Sequence, residues 1–172
     1  MQVRPSALPA HALLTRYATQ GGYTDCFVVD VSGAVTHAQY IEAFYTSWLF
    51  KAERLILEWL VAKPSTDVEA RELAKGNLDS FAAWSVEARA PDQYLARDFQ
   101  GKTCSWLMIE PGFVNGVTTT RLYFGTGIVP RRVENGEPRL TFGFSALLPF
   151  HKFYARALLR AAAARVVPRK PL

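Results

Sequence analysis

Cysteine, histidine and long apolar runs are scarce in this chain, and each shortage removes a class of protein. Only Cys26 and Cys104 occur among 172 residues. Both fall in stretches that read as strands, so two buried reduced thiols are expected rather than the disulfide framework of a small secreted scaffold. The three histidines, His11, His37 and His151, are far apart, and no HxH, HxxxH or cysteine-rich spacing accompanies them. Neither a metal site nor a cofactor is expected on that pattern. No segment approaches the ~20 apolar residues of a membrane span. The opening MQVRPSALPAHALLTRYATQGG carries an early arginine, two prolines and no apolar run of signal-peptide length. The cytoplasm is therefore the expected location. Repeats, low-complexity tracts and interdomain linkers are also missing, which leaves one domain.

The residues that are present favour a sizeable core. Hydrophobic side chains make up 49% of the chain and aromatic ones 13%, too many for disorder away from the ends. The formal charge is +5, with basic residues concentrated late, from Arg131 through Lys152, Arg156 and Arg160 to Lys170. A basic surface attracts nucleic acid and anionic lipid without specificity. No helix-turn-helix, zinc or RNA-binding signature accompanies it, so specific nucleic-acid binding is not expected.

Periodicity divides the chain into elements. Residues 1–22 read as a tail with a helical turn near Ala10 to Tyr17, closed by Gly21-Gly22. Residues 23–31 form a strand that is apolar on both faces and needs cover on both. Thr36 can cap a helical stretch over 37–62, with two helices or a kink expected near Ser47-Trp48. Its apolar positions include Phe44, Trp48, Leu49, Ala52, Leu55 and Ile56. Ser65 or Thr66 caps a short helix over 67–75, ended by Gly76-Asn77. From Phe81 the period falls to two, giving strands near 82–89, 93–99, 102–110 and 118–129. Residues 111–116 read as a looser connection, and Asn135-Gly136 as a hairpin turn. Residues 144–167 close the domain as a helix apolar around more than half its circumference, with Lys152, Arg156 and Arg160 as a solvent ridge. Residues 168–172 are a tail. Strands grouped apart from helices indicate α+β.

This order resembles the START-like helix-grip superfamily of pollen allergens, polyketide cyclases and lipid-transfer domains. Locally, Tyr23-Thr24-Asp25-Cys26-Phe27 and the run from Leu148-Pro149-Phe150-His151 to Arg160 are similar to a bacterial START-like family of unknown function. The resemblance implies a curved antiparallel sheet wrapped around the long C-terminal helix, with a cavity between them.

Trp84, Val86, Trp106, Met108, Leu122, Tyr123, Phe124 and Tyr154 are the candidate cavity wall, since large flat side chains on strands suit an apolar ligand. The same residues can equally fill a core. His151, on the apolar arc of the closing helix, is the candidate ligand contact or proton carrier. Its structural alternative is a buried imidazole held by a backbone carbonyl. Glu87, Asp98, Glu110 and Arg121 lie in strands, where cross-strand pairing is the expected role. No GxSxG surrounds Ser105 or Thr118 to Thr120. Tyr123-Phe124-Gly125-Thr126-Gly127 precedes strand-type residues rather than a helix, so its glycines are expected at a bulge or bend instead of a phosphate loop.

Three functions follow as expectations. The first is binding of a small hydrophobic or amphipathic ligand, with Trp84, Trp106, Tyr123, His151 and Tyr154 lining the site. The second is a cyclase- or dehydratase-type enzyme using His151 in the same cavity. The third is a homodimeric interaction module without a ligand, because the strand over 104–110 is apolar on both faces and implies a dimer or a covering helix.

Overall fold

The computed structural model describes residues 1–61, 65–129 and 142–167, with the side chains of 56–61 and 142–147 outside the description. In chain order the elements are β1 (Arg4–Pro5), α1 (Thr15–Thr19), β2 (Thr24–Ser32), α2 (His37–Tyr45), α3 (Trp48–Val61), α4 (Asp67–Lys75), β3 (Ser80–Phe81), β4 (Trp84–Ala90), β5 (Gln93–Asp98), β6 (Thr103–Val114), β7 (Val117–Ile128) and α5 (Phe142–Val166). The expected helix break near Ser47 is present between α2 and α3. Both predicted caps form as capping boxes. Thr36 receives the Gln39 N–H while Gln39 reaches back to Thr36, and Thr66 and Glu69 repeat the arrangement on α4. Gly76 ends α4 in the left-handed region.

All pairings are antiparallel in one sheet of order β1-β2-β7-β6-β5-β4-β3. The fold is α+β, with α5 packed against β2 and β7 on the inner face of a curved sheet and α2 and α3 beside it, a helix-grip arrangement. No helix among the described residues is long and apolar enough to cross a membrane.

Residues 111–116 do not form a loose connection. β6 and β7 stay paired out to Val114 and Val117, joined by Asn115-Gly116 alone. Both turn residues have positive φ, 51° and 79°, the backbone of a two-residue primed turn that Asn-Gly favours. The hairpin expected at Asn135-Gly136 lies outside the described residues.

Alternation along the strands sorts the core into two layers. Inward, Phe27, Val29, Leu107, Leu122 and Phe124 meet Tyr40, Phe44 and Phe50 of the helices and Ala155, Leu158, Leu159 and Ala162 of α5. Outward, Val28, Leu95, Trp106, Met108 and Tyr123 meet Ala12, Leu14 and Tyr17. Residues 1–22 are thus no tail: β1 extends the sheet, and the following segment covers its outer face. Leu14 is 0% exposed and Tyr17 2%. Gln93 holds the segment by accepting from the Leu13 N–H at 2.8 Å and donating to the His11 carbonyl at 3.1 Å, while Trp106 Nε1 donates to it at 2.9 Å.

The glycines of β7 serve this packing rather than a bulge. The β2–β7 and β6–β7 registers run without a shift. A Cβ on Gly125 would stand 2.8 Å from Leu14 Cδ2 and 2.9 Å from Trp106 Cε3, and one on Gly127 would stand 3.1 Å from Leu14 Cδ1. Close approach of a neighbouring side chain is the reason for glycine here. On α3 the helical spacing placed Trp48 and Leu55 inward, but they are 72% and 67% exposed, and Phe50 and Glu53 face the interior instead.

Candidate functional site

Between the inner face of β6 and β7 and the helices α3 and α5 lies a cavity of about 230 Å³. Phe44 of α2, Phe50 of α3, Trp84 of β4, Phe124 of β7 and Leu158 of α5 supply its apolar wall. Of the five residues the sequence put forward as ligand contacts, Trp84, His151 and Tyr154 line this space. Trp106 and Tyr123 do not. Both point to the outer face, under Leu14 and Tyr17, where Trp106 is 0% exposed and its ring lies 5.9 Å from that of Tyr123. Met108 shares that outer layer, whereas Leu122 and Phe124 are inward.

Two polar clusters enter the cavity from α5, one turn apart. In the first, His151 Nε2 lies 2.7 Å from the Thr126 hydroxyl and 3.4 Å from Asp25 Oδ2. Thr126 donates its hydroxyl to Asp25 Oδ1 at 2.7 Å and its N–H to the same oxygen at 3.1 Å. A hydroxyl that has given its one proton to a carboxylate can only accept from the imidazole, so the arrangement places a proton on Nε2. The Asp25 side chain is only 8% exposed. Burial pushes its carboxyl up, but hydrogen bonds from His151 and Thr126 and the charge of His151 outweigh that and hold it below the usual range.

In the second cluster Tyr154 donates to Glu53 Oε2 at 2.5 Å, linking α5 to α3. Burial raises the Glu53 carboxyl above its ordinary value, against the lowering effect of the Tyr154 hydrogen bond. The second Glu53 oxygen has no hydrogen bond among the described residues. Burial also raises the Tyr154 hydroxyl, with Glu53 adding to the effect, so the phenol keeps its proton. No lysine or arginine lines the cavity among the described residues. The indole Nε1 of Trp84 is buried with no hydrogen-bond partner among them.

Sequence reading missed Asp25 and Glu53. Asp25 sits in an apolar strand, two residues from Phe27 on the inward parity, and Glu53 lies one turn from Phe50 on the buried arc of α3. An acidic residue on an otherwise apolar face was the available signal in both cases. Glu87, Glu110 and Arg121 behave as cross-strand pairing implies, whereas Asp98 accepts the Lys102 and Thr103 N–H groups at 2.7 and 2.9 Å at the turn between β5 and β6. On the outer face Glu87 bonds Arg97 at 3.0 Å and Arg16 at 2.9 Å, Asp30 holds Arg121 at 2.7 Å, and Tyr123 donates to Glu110 at 2.7 Å. His37 reaches the Leu107 carbonyl at 3.4 Å, and burial lowers it to about 4, which leaves it neutral. Burial likewise pushes the Cys26 and Cys104 thiols up to about 12, making both unreactive. No group of three or more His, Cys, Asp and Glu among the described residues could hold a metal ion.

Comparison of the chain with protein-family models, curated proteins and solved structures returned no match.

Proposed function

We propose that this is a START-like, cytoplasmic protein that binds a small hydrophobic or amphipathic ligand between its sheet and α5. The observation that carries the reading is the aromatic-walled cavity of about 230 Å³, which holds a few convergent polar groups. The helix-grip order of elements supports it. So does the meeting of Asp25 and His151, which come from the two segments on which the resemblance rests. Native mass spectra of gently purified protein should show an added small-molecule mass that is lost on denaturation. Filling the cavity from α5 with Ala155→Phe should remove that mass. Its persistence in a folded Ala155→Phe protein would sink the reading.

A cyclase- or dehydratase-type enzyme in the same cavity is the second reading, and Asp25 beside His151 is what favours it. It requires turnover that disappears in both His151→Ala and Asp25→Asn. Pairing of two copies is no longer needed to cover the two-faced strands, because residues 8–17 cover them. A homodimer would instead use exposed side chains such as Phe150 and Phe153 of α5.

A further inference from the structure

Resting on the cavity reading above, we infer that the ligand is a non-anionic molecule about the size of one ring, bearing a hydrogen-bond donor that meets Glu53 and Tyr154. The volume sets the size. A dry apolar cavity of about 150 Å³ takes benzene, so about 230 Å³ accommodates a ring with roughly two or three further heavy atoms. Sites for drug-sized compounds start near ~300 Å³, and a two-chain lipid or a fused polycycle is larger still.

The lining sets the charge. An anionic head group would enter beside Glu53 with no lysine or arginine to meet it among the described residues lining the cavity, and an unpaired buried charge is costly. Of the cations next to lining residues in sequence, Lys51 and Arg54 bind Asp67 at 2.5 and 2.7 Å, Arg156 lies over the Phe27 ring at 5.2 Å, Lys102 binds Gln100 at 2.7 Å, and Lys152 is exposed. A hydrogen-bond donor fits instead, because the unbonded oxygen of Glu53 accepts. A hydroxyl or an ammonium can give it a proton, and a hydroxyl can in addition offer its lone pairs to Trp84 Nε1, the buried donor in this wall without a partner among the described residues.

Calorimetric titration at pH 7 with benzyl alcohol, benzoate and benzylamine keeps the ring constant and varies the charge. The alcohol and the amine should each bind at least tenfold more tightly than benzoate. In Glu53→Gln, which removes the carboxylate but keeps the shape, benzoate should gain at least threefold and the amine lose at least threefold, while the alcohol changes by less than that. Benzoate binding as tightly as the alcohol or the amine would overturn the ligand class and leave the cavity reading standing, as would failure of all three alongside a native spectrum that carries an added mass. Failure of all three with no added mass would overturn both.

Discussion

Glu53 lines the cavity, Asp25 lies behind its lining residues His151 and Thr126, and the two carboxyls respond to pH in opposite senses. Burial raises the Glu53 carboxyl, so folding takes up a proton there. Its contribution to stability is complete below the unfolded value of about 4.3 and is lost as pH rises through the raised folded value. Asp25 is held low despite its burial, so its contribution is present above about 3.9 and disappears as pH falls through the lowered value. Glu53→Gln cannot ionise and still offers an oxygen to Tyr154. Thermal unfolding from pH 4 to pH 8 should therefore show the variant gaining on the parent protein as pH rises. A difference that stays constant across that range would show that Glu53 ionisation is not the cause. His151 and Tyr154 were legible in the sequence because the face of a long helix is read from spacing alone. Trp106 and Tyr123 were misplaced because alternation separates the two faces of a strand without saying which is concave, and parity is not carried across a turn from β4 to β6. Asp25 and Glu53 are polar members of apolar patterns, which a search for periodicity passes over.

At the scale of elements, the main departure from the sequence reading is the N-terminal segment. Its prolines and sparse apolar residues give no periodic signal, yet Leu14 fits against the bare backbone of Gly125 and Gly127. The strand signals, in contrast, were strong: β2 and β6 are apolar on both parities, and the need for cover on both faces was read correctly before its source was visible. Leu14→Ala should cost about 2–5 kcal/mol in denaturant unfolding, the range for emptying a fully buried leucine site. Ligand binding by the folded fraction should be unchanged, because Leu14 and the cavity lie on opposite faces of the sheet. A stability loss within a few tenths of a kcal/mol would mean that the segment is only loosely seated. The β6–β7 hairpin was legible in principle from Asn115-Gly116, but the Pro111-Gly112 pair just before it reads as a break. In the structure those two residues continue the strand, Pro111 opposite Thr120 and Gly112 opposite Thr119.

Across the whole molecule, one sheet serves two cores, and only one of them contains the cavity. Trp106 tests that division. It is 0% exposed in the outer layer and hydrogen-bonded to Gln93, so Trp106→Ala should lower stability by about 3–5 kcal/mol. The added mass in native spectra should remain at temperatures where the variant is folded. Loss of the ligand from a folded Trp106→Ala protein would show that the two cores are coupled through β6.

The register has a consequence for how the chain acquires its fold. β2 is the first long strand, and it has no neighbour on its inner side except β7, with Thr24 opposite Gly127 and Ser32 opposite Thr119. Closing that pair brings together residues separated by most of the chain, which slows folding relative to a protein built from local contacts. During synthesis the helices α2 to α4 and the β4–β5–β6 meander can form early, but β2 waits for β7. The seat for Leu14 waits with it, since Gly125 and Gly127 belong to β7. Until then both apolar faces of β2 are open to other chains. Crowded expression would therefore favour aggregation through this strand rather than through the hairpins that follow it.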